Sequence, residues 1–104
     1  MNKQLSKIFI FYWYKQSHFE IVTLMMDLKN LINTDKEILS GQPVFTGTRV
    51  PVESLFDHLE AGISLDEFLD DFPTVSKVQA IAILDIANKL ITSEKAAQFY
   101  EASS

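Results

Sequence analysis

Gly41 to Phe72, GQPVFTGTRVPVESLFDHLEAGISLDEFLDDF, leaves the backbone few choices. The stretch opens with a glycine- and proline-punctuated segment that reads as extended chain or a hairpin. Pro51 suits the first turn of a helix, where a missing N–H is no loss. Val52, Leu55, Phe56 and Leu59 then recur at i, i+3, i+4 and i+7 as one apolar stripe. Gly62 supplies the left-handed residue that commonly closes a helix. Ser64 starts a second helix as N-cap, with Glu67 as its capping-box partner and Ile63 and Phe68 at staple positions. Leu65, Phe68, Leu69 and Phe72 form the next stripe, and Pro73 ends it. Two short helices joined through a Gly-Ile step are expected to cross steeply, the geometry of a helix-turn-helix.

A third helix is predicted from Ser76, an N-cap with Gln79 three residues on. Projected at about 100° per residue, Lys77 to Ile91 gathers Ala80, Ile83, Leu84, Ile86, Ala87, Leu90 and Ile91 on one broad arc. The opposite arc carries Lys77, Asp85, Asn88 and Lys89, but also Val78, Ile81 and Ala82. Val78 and Ile81 stand one turn apart on an otherwise solvated face, which suggests a second contact surface; exposed apolar residues are also common in folded proteins. Beyond Thr92-Ser93, the run EKAAQFYEA extends this helix or forms another. Upstream, Leu31 to Asn33 and Val44 to Phe45 read as two short strands between turns at Asn33-Thr34-Asp35, Ser40-Gly41 and Thr46-Gly47. Strands this short and few need either the helices or a second chain to cover them.

Residues 1–25 do not conform to this pattern. Lysines flank the run from Ile8 to Tyr14, which is too short to span a bilayer and lacks a small-residue cleavage site after it. Taken as part of the protein, the run is a β-prone aromatic strand in need of a partner. The adjacent Met25 and Met26 offer an alternative start. The expected organisation is a non-conforming leader over 1–25 and a single domain over 26–104.

A chain of 104 residues with 47% apolar content can form one ordinary core. Cysteine is absent, which removes disulfides, thiolate metal sites and cysteine nucleophiles and is compatible with a reducing cytoplasm. The net charge of -5 lacks the basic excess of a stand-alone nucleic-acid binder, so a positively charged protein is as good a partner as DNA.

Catalytic chemistry finds little to work with. His18 and His58 are the only histidines, no H-E-x-x-H pair occurs, and His58 is expected on the solvated side of the first helix. Asp66, Glu67, Asp70 and Asp71 could in principle bind magnesium or serve as acid and base. Acids early in a helix also favour its dipole, and the same cluster can meet a basic partner. No phosphate-binding glycine loop is present. The expectation is no enzyme, no cofactor, no metal, no small-molecule substrate and no membrane association. Gly47-Thr48-Arg49 is the sharpest local cluster, and Arg49 is the sole arginine. Either Arg49 forks onto Glu53 or Asp57 and pins strand to helix, or it reaches a phosphate or a partner's acid.

Gly41, Pro43, Gly47, Thr48, Arg49, Pro51, Val52, Gly62, Ser64, Glu67 and Pro73 together carry a resemblance. They fall in register with the pattern of the bacterial family catalogued as domain of unknown function 433, over about Leu31 to Leu90. That family resembles homeodomain-like or winged-helix domains. The resemblance therefore implies a mainly α, three-helix helix-turn-helix domain with short N-terminal β-strands. Many members are similar to VapB-like antitoxins of type II toxin–antitoxin pairs, often encoded beside a PIN-like ribonuclease toxin. What the resemblance implies here is a cytoplasmic antitoxin-type protein, homodimeric through its N-terminal extended pieces, that neutralises a ribonuclease. Operator DNA is a candidate further ligand, with transcriptional autoregulation as the consequence.

Candidate DNA contacts are Thr74, Ser76, Lys77 and Gln79 at the start of a recognition helix, which meets base edges, with Asn88 and Lys89 further along it and Arg49 reaching a phosphate; glutamine can read adenine and lysine can hold a phosphate. Candidate partner contacts are Val78, Ile81, Asp66, Asp70 and Asp71. The competing expectation is an acidic protein–protein interaction module with no DNA role; an enzyme would require a metal at Asp66, Asp70 and Asp71. The chain departs from the family at Val78 and Gln79, where acidic residues are frequent, and at Ile81, where a polar or basic one is common. Both departures make the outer face of the third helix greasier.

Overall fold

The computed structural model describes residues 21–103. In chain order these form a helix over residues 21–31 (α1), strand β1 (Ile32–Asn33), a 3-10 turn (Leu39–Gly41) and strand β2 (Val44–Phe45). Helices α2 (Val52–Glu60), α3 (Leu65–Asp71), α4 (Lys77–Thr92) and α5 (Glu94–Ser103) follow. The described chain is mainly helical, with a two-stranded antiparallel sheet that pairs Ile32 with Phe45 and Asn33 with Val44. Both strands lie where the sequence places them. The helices of the same chain cover β2, whose Val44 and Phe45 are wholly buried.

The stretch from Gly41 to Phe72 folds much as its punctuation dictates. Pro51 is the N-cap of α2 rather than its first helical residue, with an extended backbone that forms an isolated bridge to Val44. The Val52 N–H donates to Pro43 O at 3.0 Å, so the proline pair holds the helix start against β2. At the other end Gly62 takes φ +81°. Its N–H donates to Leu59 O at 3.0 Å and the Ile63 N–H to His58 O at 2.9 Å, the paired bonds of a Schellman motif. Ser64 caps α3 by accepting from the Glu67 N–H at 3.2 Å. Only this half of the expected capping box forms among the described residues. Ser76 and Gln79 form both halves at the start of α4, with bonds of 3.1 and 2.9 Å.

The core joins β2, α2, α3 and the first half of α4 through Phe45, Val52, Leu55, Phe68, Val75, Ala80 and Ile83. Phe68 is its hub: wholly buried, it packs against Phe45 at 6.3 Å and Phe72 at 5.0 Å between ring centroids.

Two features differ from expectation. The sequence predicts no helix before the first strand, yet α1 runs through Met25 and Met26, so the boundary drawn at residue 25 falls inside a helix. Ile21, Leu24, Leu28 and Leu31 recur along one of its faces and are its buried or half-buried positions, while Val22, Met25 and Met26 are exposed. The β-prone run at Ile8 to Tyr14 and His18 lie outside the described residues. Second, Ile91 shares the apolar arc of α4 but is 60% exposed, because the core stops short of that end of the helix. Beyond Ser93 the sequence leaves two readings open, and the second is observed: α4 and α5 are separate helices. Buried Ser93 divides them, its hydroxyl donating to Leu90 O at 3.1 Å and accepting from the Ala96 N–H at 3.2 Å.

No helix among the described residues is long and apolar enough to cross a membrane.

Candidate functional site

Two surfaces hold the residues singled out by their chemistry: the turn from Phe45 to Val50, and the outer face of α4. In the turn, the Phe45 N–H donates to Val50 O at 3.0 Å and Gly47 takes φ +79°, which a side chain would strain. The Thr48 hydroxyl donates to Phe45 O at 2.8 Å and accepts from the Val50 N–H at 3.0 Å. Gly47 and Thr48 are therefore spent on closing the turn. Arg49 is not. It is exposed and makes no ion pair with Glu53 or Asp57; Glu53 instead accepts from Gln42 Nε2 at 3.1 Å. The expected fork onto Glu53 or Asp57 is not formed, and among the described residues Arg49 has no ion pair.

Thr46 ties this turn to two helices. Its N–H donates to Leu31 O and its hydroxyl to Asn30 O, both at 3.0 Å, satisfying carbonyls at the end of α1. Its own carbonyl accepts from Gln79 Nε2 at 2.9 Å. Gln79 therefore has both ends of its amide engaged, one in the capping box and one on Thr46. A side chain held this way keeps one donor and one lone pair, but in an orientation set by the protein's own two bonds. Thr46 is thus a linchpin whose only local signal in the sequence is its place beside Gly47.

The outer face of α4 is open to solvent. Lys77, Ile81, Asp85, Val78, Asn88 and Lys89 fill one exposed arc, with Val78 77% and Ile81 47% exposed. The charges on this arc are paired along the surface: Lys89 Nζ lies 2.9 Å from Asp85 Oδ2, and Lys77 Nζ lies 3.9 Å from Asp66 Oδ1. The second contact places the acids of α3 beside the start of α4, so Lys77 and Asp66 adjoin. Thr74 and Ser76 are exposed at the same end.

Asp71 is drawn elsewhere. Its carboxylate lies 3.9 Å from His58 Nε2. His58 is itself a correction: it is half-buried rather than solvated, edge-on to Phe68 at 5.3 Å and Phe72 at 5.4 Å. Its Nδ1 donates to Ser54 O, since a carbonyl can only accept. It joins α2 to α3, a structural post the isolated helix pattern could not reveal. Among the described residues no group of three or more histidine, aspartate or glutamate side chains could hold a metal ion, and Asp66, Asp70 and Asp71 form none.

The model of a family described as "Protein of unknown function (DUF433)" matches residues 32–87, more than half of the chain. A solved structure described as a DUF433 member protein from Anabaena variabilis ATCC 29413 is similar at 18% identity and a TM-score of 0.51, covering 100% of both chains. At that identity the likeness concerns the fold alone. No curated protein matches the chain.

Proposed function

We propose that this chain, which belongs to the DUF433 family, is an antitoxin-type protein that works by holding a protein partner, a ribonuclease of the PIN-like kind. In this reading α2, α3 and α4 form a helix-turn-helix of the homeodomain or winged-helix type, and the protein acts in the cytoplasm as a homodimer. The observation that carries it is the exposed apolar pair on α4: Val78 and Ile81 stand out from a helix whose other face is bonded into the core. Burying the exposed part of such side chains against a partner is favourable, a gain the free chain does not make. The acidic surface of α3 beside them suits a cationic enzyme.

Operator binding is the second limb of the proposal. Arg49, free of Glu53 and Asp57, with Thr74, Ser76 and Lys77 at the start of α4, supplies the phosphate contacts. So few cations at -5 net charge support weak, shallow salt-dependent binding until a cationic partner is added. The competing reading, a protein-interaction module without a DNA role, is favoured by one specific observation, the double engagement of Gln79.

The test is a gel-shift titration of the DNA upstream of the gene, with and without the product of the adjacent reading frame. The same product is assayed for ribonuclease activity in the presence of the protein. Inhibition of a ribonuclease together with a shift strengthened by the complex is expected. Inhibition with no shift at low salt leaves the interaction module; no inhibition and no complex removes the antitoxin reading.

A further inference from the structure

We infer that the groove between α1 and α4, with the apolar ridge of α4 that runs into it, docks a basic amphipathic segment of a protein partner. This rests on the reading that the chain works by holding another protein, and names where and by what chemistry.

The groove has a volume of about 310 Å³ and is lined by Asp27, Asn30 and Leu31 of α1 and Ala82, Asp85 and Ile86 of α4. Leu31, Ala82 and Ile86 give it apolar walls; Asp27 and Asp85 put one carboxylate on each helix. Val78, Ile81, Ala82 and Asp85 occupy i, i+3, i+4 and i+7 of α4. That is the spacing by which a helix presents a row of anchors to another element. The ridge and the groove share Ala82 and Asp85, so they are one surface.

Its chemistry selects the occupant. A lysine or arginine entering the groove lays its aliphatic stem on Leu31, Ala82 and Ile86 and brings its charged head to Asp27 and Asp85. Neighbouring aliphatic side chains of the same segment cover Val78 and Ile81. Asp85 already pairs with Lys89 at 2.9 Å, but this is a half-exposed i,i+4 pair. Such pairs are weakly held and easily shared. A phosphate backbone meets two carboxylates here and is repelled. A second copy of the chain brings the same acid-rimmed groove and the same net charge of -5.

The experiment titrates the isotope-labelled full chain with a short synthetic peptide of leucine and lysine in helical alternation, followed by amide chemical shifts. A leucine–glutamate counterpart and a short random-sequence DNA duplex serve as controls. The Leu/Lys peptide is expected to shift Asn30, Leu31, Ile81, Ala82, Asp85 and Ile86, and neither control to do so. Asp27→Asn with Asp85→Asn is expected to weaken the peptide about tenfold, an energy of ordinary charge-pair size, with the melting temperature showing that the variant folds. Ile81→Lys, outside the groove but on the ridge, is expected to weaken it too. Shifts elsewhere, equal binding of the glutamate peptide, indifference to both variants, or the same shifts on concentrating the protein alone would each overturn the inference. A chain that inhibits a ribonuclease equally well with and without these substitutions sinks the groove and spares the antitoxin role. Peptide capture without ribonuclease inhibition supports the groove and removes that role.

Discussion

Thr48 and Arg49 are neighbours with opposite duties. The Thr48 hydroxyl donates to one strand-end carbonyl and accepts from the N–H of Val50, a residue that is 9% exposed. Thr48→Val keeps the shape and removes both bonds, leaving the Val50 N–H without its acceptor. Urea unfolding is expected to show a loss of about 1–3 kcal/mol, the cost of an unsatisfied group, with Thr48→Ser close to the parent. Arg49→Ala is expected within about 0.5 kcal/mol of the parent, since an exposed side chain with no ion pair among the described residues adds little. The same variant should weaken any operator complex. Equal destabilisation by the two variants would mean that Arg49 is pinned after all. The sequence made the Gly-Thr-Arg cluster visible but could not divide its labour. Which acid an arginine meets depends on tertiary placement, and here Gln42 occupies the acid at Glu53.

At the level of elements, the legible features were those whose cause is local. Ser76 with Gln79, Gly62 and the break after Phe72 act on backbone groups within a turn of themselves, so residue type and spacing suffice to read them. Helix α1 had an equally local signal in Ile21, Leu24, Leu28 and Leu31, but the aromatic, β-prone residues upstream and the paired methionines masked it. The links between elements were invisible, the bond from Gln79 to Thr46 above all, because its partners lie 33 residues apart. Gln79→Glu tests that bond by the sign of its effect. In an isolated helix the change keeps the capping box and suits the dipole, so it stabilises. Here it also replaces a donor facing the Thr46 carbonyl with an acceptor. Thermal unfolding is therefore expected to show a net loss of about 1 kcal/mol, the scale of one hydrogen bond. A raised melting temperature would mean that the turn and α4 are not joined through this side chain.

Across the whole molecule, apolar residues are divided between a core centred on Phe68 and surfaces that the core never reaches. Val78, Ile81, Ile91, Phe99 and Tyr100 are all exposed along α4 and α5. The division implies two classes of substitution with opposite readouts. Phe68→Ala empties the centre of a packed cluster that includes Phe45, Leu55 and Phe72. Truncating a buried phenylalanine costs about 3–5 kcal/mol, a large part of the stability of a domain this small. That variant is expected to be largely unfolded by circular dichroism. Val78→Ser with Ile81→Ser removes apolar atoms that already face water. The pair is expected to unfold within about 0.5 kcal/mol of the parent while losing retention of the protein partner. If it melted far below the parent, the outer face of α4 would belong to the interior, and an open face for a partner to cover would not exist.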